Sequence, residues 1–173
     1  GTDDFLTNST AIMNNAANAY ASVVLSKTSA AANELPLSLP SGLSDGRGFD
    51  LRLGSGTAQL SIKTEAGNAD ANGNFTTDSG SDVLLTGTFN SGLSSDEAKF
   101  FGNGSLVASA SNSGSGIVNN GDNGGLFIGR FGSPINYGAH LNGKVKEVII
   151  YVSDQSANRT VIEKNINDIY TIY

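Results

Sequence analysis

Six dipeptides that favour positive backbone φ punctuate the chain: Asp45-Gly46, Asn72-Gly73, Asn103-Gly104, Asn120-Gly121, Asn123-Gly124 and Asn142-Gly143. Tight hairpins need such residues at their corners. A chain turned back this often has little room for long helices, so its intervening segments must be short and must pair with one another. Those segments alternate. Residues 48–53 (GFDLRL) place Phe49, Leu51 and Leu53 on one side and Asp50 and Arg52 on the other. Residues 58–64 (AQLSIKT) repeat the pattern with Leu60 and Ile62 inward. Residues 19–26, 82–89, 99–101, 105–109 and 126–130 continue the series. The longest, residues 144–152, sets Val145, Glu147, Ile149 and Tyr151 against Lys146, Val148, Ile150 and Val152. Apolar groups on both sides predict a strand covered on both faces for part of its length. Some eight or nine short strands with turns between them predict an all-β antiparallel sandwich or barrel.

Two stretches read as helical. Residues 9–15 suit a single turn. Near the end, Thr160 and Glu163 have the spacing of a capping box, followed by Ile162, Ile166, Ile169 and Tyr173 at helical intervals. Residues 170–173 are expected to leave that helix as a short strand.

The length of 173 residues fits one domain with a core of its own. Hydrophobic residues at 38%, grouped in alternating runs, argue against disorder despite 22 glycines. The chain has no cysteine, which excludes disulfide scaffolds, thiolate zinc sites and cysteine catalysis. One histidine, His140, excludes multi-histidine metal sites and leaves any Ser-His-Asp triad dependent on that residue. Ten Lys+Arg against sixteen Asp+Glu give a net charge of −6, the wrong sign for a nucleic-acid partner. No apolar run approaches the ~20 residues of a membrane span. No basic segment followed by an apolar stretch marks a signal peptide at the start.

The last third carries a resemblance. Phe100-Phe101-Gly102-Asn103-Gly104-Ser105-Leu106-Val107 is followed by Gly125-Leu126-Phe127-Ile128-Gly129-Arg130 and by the run from Leu141-Asn142-Gly143-Lys144 to Tyr151, then by residues 159–173. This order resembles the laminin-G-like members of the concanavalin A-like lectin/glucanase superfamily. The opening Gly1-Thr2-Asp3-Asp4-Phe5-Leu6 is similar to a segment that follows the family's first strand. The resemblance implies a two-sheet antiparallel jelly roll over residues 1–173, a single domain lacking its first strand and anything upstream. A short C-terminal helix would pack across one edge.

Three kinds of site come into question. Glycoside hydrolysis needs two carboxylates flanking the scissile bond, and catalytic relatives place them as E-x-D-x-E on one strand. Glu65, Glu97, Glu147 and Glu163 have no acidic residue two positions on, so the expectation is a protein without enzymatic activity. Asp70, Asn72, Asn74 and Asp78 space oxygen ligands as in a calcium loop, which makes calcium the one cofactor to consider. Phe75 and Ser81 stand where such a loop wants glycine and a bidentate glutamate, and a solvated turn-rich loop is the competing reading. Residues 130–140 gather Arg130, Phe131, Asn136, Tyr137 and His140, the groups with which proteins grip sugars. Alternatively, Phe131 and Tyr137 plug the end of the sandwich.

The expectation for function is a non-enzymatic recognition or structural module. The first reading is a phage virion protein, a head decoration, fibre or tail adhesin at the virion surface, contacting host glycans or neighbouring subunits, with homo-oligomers among its partners. The alternative is an extracellular carbohydrate-binding, lectin-like domain of a secreted bacterial protein. A glycan-cleaving enzyme comes third.

Overall fold

A computed structural model describes residues 5–28, 34–41, 48–76, 79–112, 114–119, 125–130 and 140–173. Its strands form two antiparallel sheets. The six-stranded sheet runs in the order β1 (Leu6–Asn8), β10 (Leu126–Ile128), β3 (Glu34–Leu39), β4 (Phe49–Leu53), β5 (Thr57–Thr64) and β6 (Gly67–Asn74). The five-stranded sheet runs β11 (Gly143–Tyr151), β2 (Asn18–Lys27), β7 (Asp82–Asn90), β8 (Ala98–Gly102) and β9 (Ser105–Ala110). Between them lies one core, in which Ala21, Val23, Leu25, Val83, Leu85, Phe89 and Phe100 of one sheet meet Leu37, Leu39, Phe49, Leu51, Leu60 and Ile62 of the other. The jelly-roll sandwich is the expected fold.

The eight segments read as strands all form, with ends shifted by one or two residues. Three further strands form, β1, β3 and β6. Of the expected turns, Asn103-Gly104 makes the β8–β9 hairpin, with φ of 47° and 77° at its two corner residues. Asn72-Gly73 makes no turn but lies within β6, where a Cβ on Gly73 would stand 2.6 Å from Val107 Cγ1. Glycine is needed there so that the edges of the two sheets can close on each other. Asp45-Gly46, Asn120-Gly121 and Asn123-Gly124 lie outside the described residues.

The long strand β11 is covered on both faces, as expected, but not by simple alternation. A bulge between Val145 and Glu147 shifts its phase by one residue, pairing Val145 with Leu25 and Glu147 with Val24. Val145, Val148 and Ile150 therefore all pack on the core, while Ile149 faces outward.

The helix α1 (Arg159–Tyr170) departs from expectation in three respects. It does not lie at an edge but across the outer face of the five-stranded sheet, where Ile166 packs with Val24 and Leu84, joined by Ile149, Ile162, Tyr170 and Ile172. Its cap is Asn158 without a side-chain cap bond, so Thr160 falls inside the first turn and no capping box forms. Glu163 turns instead to the Arg159 guanidinium beneath the helix. Residues 170–173 form no strand, because the Asn167 side chain gathers the amides of Ile172 and Tyr173 and donates to the Tyr173 carbonyl, at 2.7, 2.9 and 2.6 Å.

Polar groups follow the helix into the interface. The Ser22 hydroxyl donates to the Tyr20 hydroxyl at 2.5 Å and lies 2.9 Å from Thr86 Oγ1. Burial pushes Tyr20 up to about 12 and raises Glu163 above the usual carboxylate range, against the pull of Arg159.

Candidate functional site

The outward face of the six-stranded sheet is built from the residues that alternate with the core. Leu37 and Leu39 point inward and leave Ser38 outside; Phe49, Leu51 and Leu53 do the same for Asp50 and Arg52. Leu60 and Ile62 leave Gln59, Ser61 and Lys63 outside, and Ala69 and Ala71 leave Asp70 and Asn72. Strand register then aligns these positions. Thr7 pairs with Phe127, Phe127 with Ser38, Ser38 with Asp50, Asp50 with Ser61 and Ser61 with Asp70. One row thus crosses all six strands. A second row sets Arg52 beside Gln59 and Gln59 beside Asn72.

Hydrogen bonds tie the first row together. The Ser38 hydroxyl donates to Asp50 Oδ1 at 2.6 Å, and the Ser61 hydroxyl donates to Asp70 Oδ1. Arg52 Nη2 stands 3.4 Å from Asp50 Oδ2. Ser38, Asp50 and Ser61 are wholly buried and form a floor; Arg52 and Gln59 are half-buried, and Asp70 and Asn72 at the β6 edge are exposed. A buried carboxylate is tolerated when donors satisfy it, and here it serves to fix the Arg52 fork. The face thus presents a guanidinium, two amides and a carboxylate within two strand spacings, which for adjacent strands are about 4.8 Å each. Such groups donate to and accept from vicinal hydroxyls.

At the other end of the row, Arg130 lies over aromatic rings, 3.9 Å from the Phe5 centroid and 5.1 Å from that of Phe127. Phe127 points outward, since its neighbours Leu126 and Ile128 pack on the core. Arg130 bridges His140 across an antiparallel pair, and the buried Nδ1 of His140 has no hydrogen-bond partner among the described residues. Phe131, Asn136 and Tyr137 lie outside the described residues.

The residues spaced like a calcium loop are placed differently from that reading. Asp70, Asn72 and Asn74 sit on extended strand β6. Their side chains leave one face at intervals of roughly 6.8 Å, so they line up along an edge and do not wrap an ion. Asp70 and Asn72 instead complete the two polar rows. Asp78 lies outside the described residues, and among those described no three His, Cys, Asp or Glu side chains group as metal ligands. Phe75 packs on the core, edge-on to Phe100 at 6.5 Å.

A fold of two antiparallel sheets is shared with known proteins. The family model described as the concanavalin A-like lectin/glucanases superfamily matches residues 4–158. The chain belongs to this superfamily. No curated protein sequence matches it. Among solved structures, the Ruminococcus gnavus IT-sialidase CBM40 bound to α2,3-sialyllactose is similar with a TM-score of 0.67 at 12% identity, over 83% of this chain and 81% of that one. Domains LG4-5 of the mouse laminin α1 chain give 0.60 at 14% identity, over 84% of this chain and 37% of theirs. A leech intramolecular trans-sialidase gives 0.69 at 9% identity, over 87% of this chain but 24% of its own. At these identities the likeness concerns the fold.

Proposed function

We propose that this superfamily member is a non-catalytic, lectin-like carbohydrate-binding domain acting outside the cell, and that its ligand seats on the outward face of the six-stranded sheet. The observation that carries this reading is the pair of cross-strand polar rows, with Arg52, Gln59, Asp70 and Asn72 at their accessible end. Support also comes from the R. gnavus relative, which is similar over most of its own length and whose structure holds sialyllactose. That support falls on the lectin-like alternative drawn from the sequence; the virion reading gains nothing from these relatives. In this proposal Arg52 donates to ligand oxygens with its orientation fixed by Asp50, while Gln59 and Asn72 supply amides that both donate and accept.

The test is a glycan array on the chain, run with calcium and with chelator, beside the Arg52→Ala variant. Hits in both conditions that disappear in Arg52→Ala are expected. An empty array in both conditions would remove the reading. Turnover of any arrayed glycan, abolished by one carboxylate substitution, would restore the enzymatic alternative.

A further inference from the structure

The helix leaves part of the five-stranded sheet uncovered. Past its apolar strip runs the outward row Tyr20, Thr88 and Lys99. A cleft of about 170 Å³ opens there, lined by Thr88, Lys99, Phe101, Ser156 and Arg159. Several basic side chains of this acidic chain have carboxylates beside them: Lys27 has Glu34, Arg52 has Asp50, Lys146 has Asp82, Arg159 has Glu163 and Lys164 has Asp168. Lys99 is different. It is half-buried, yet among the described residues its ammonium makes no ion pair and no hydrogen bond.

Arg159 lies over the Phe101 ring, 3.9 Å from its centroid, and directs Nη1 to Glu163 and to the Gly104 carbonyl. Its Nε and Nη2 make no hydrogen bond among the described residues, and neither does the Thr88 hydroxyl. The nearby Asp154 carboxylate is already engaged, accepting from Asn90 Nδ2 and from the amide and hydroxyl of Ser156. Those bonds hold its pKa below the usual range. Lys99 and the guanidinium of Arg159, whose Nη1 edge is already paired with Glu163, thus line a cleft that has no carboxylate among its lining residues. Its volume is below the roughly 300–1,000 Å³ of pockets that enclose whole small molecules.

We propose that this cleft is a second binding site, for a compact oxyanion (a carboxylate or a sulfate group), with Lys99 Nζ and Arg159 as charged donors and Thr88 Oγ1 as a neutral one. Phe101 keeps the guanidinium plane in position. The site lies on the opposite side of the sandwich from the polar rows and does not rest on them.

Amide chemical shifts of the full chain, titrated at constant ionic strength with sodium sulfate, sodium glucuronate or uncharged glucose, test it. Saturable shifts at Thr88, Lys99, Ser156 and Arg159 are expected with at least one oxyanion and not with glucose. A response to sulfate alone assigns the site to sulfate groups, and one to glucuronate alone to carboxylates. Lys99→Gln should weaken the binding about tenfold or more, while Arg52→Ala leaves it unchanged. No saturable shift with either oxyanion, or equal affinity in Lys99→Gln, overturns the proposal.

Discussion

The two outer faces of the sandwich are made by the same alternation of residues and end with opposite chemistry. On the five-stranded sheet, Val24, Leu84 and Ile149 point outward and need a cover, which α1 supplies through Ile162, Ile166 and Tyr170. On the six-stranded sheet Phe127 faces outward beside a run of polar positions, Ser38, Asp50, Arg52, Gln59, Ser61, Asp70 and Asn72, that calls for no apolar cover. Under the proposed function, recognition resides on the second of these faces. A sheet face that buries aliphatic side chains under its own helix is spent on stability. A face that organises charged and amide groups by cross-strand hydrogen bonds keeps Ser38, Asp50 and Ser61 as a buried floor and leaves Asp70 and Asn72 exposed at its β6 edge.

The largest expected effect is on the covered face. Ile166→Ala removes a buried side chain from a small cluster and should cost about 2–4 kcal/mol of unfolding free energy, read by urea denaturation. It should leave glycan affinity unchanged in the folded protein. On the polar face, Asp50→Ala removes the hydrogen bond from Ser38 and the ion pair with Arg52, a loss of about 2 kcal/mol. The same variant should abolish glycan binding, because the guanidinium is no longer aimed. If Ile166→Ala weakened binding more than Asp50→Ala, the division between the faces would be wrong.

A pH series sharpens the comparison further. Burial raises the Glu163 pKa in the folded protein, with Arg159 and Thr86 opposing it. A carboxyl raised in this way contributes stability that is complete below its unfolded pKa and lost as pH rises through its folded one. The urea midpoint of the native chain should therefore fall relative to that of Glu163→Gln as pH climbs from the acid side through the raised Glu163 value. Glu34, raised by its own burial, is common to both proteins and cancels in the difference. A constant difference across pH would show that Glu163 is not the buried carboxylate beneath α1. The smallest effect belongs to the exposed pair Lys164–Asp168, where Lys164→Ala should cost about 0.3 kcal/mol.

Much of the fold was legible because β4, β5, β7 and β11 carry leucine, isoleucine, valine and phenylalanine at strand intervals. Strand β6 was not. Its sequence, GNADANGN, contains no β-former, and it becomes a strand through full-length pairing with β5 and the burial of Ala69 and Ala71. The alternation of alanine with polar residues was the available signal, and the spacing of Asp70, Asn72 and Asn74 drew attention to a calcium loop instead. Strand β3 hid behind Pro36 and a register shift between Glu34 and Leu37. The sequence placed Asp50 with Arg52, and Ser61 with Gln59, on the sides away from the core. What it could not supply was that β3, β4, β5 and β6 are neighbours in the register that turns these residues into rows. Arg130 was singled out for its aromatic surroundings, and the rings it lies over include Phe5 and Phe127.

The most direct measurement is chemical-shift mapping of the full chain with a glycan that scores on the array. The account predicts the largest perturbations at Arg52, Gln59, Asp70 and Asn72, and their disappearance in an Arg52→Ala, Asp70→Ala double variant that remains folded. Largest perturbations on β2, β7 or α1, or an affinity unchanged in that double variant, would contradict it.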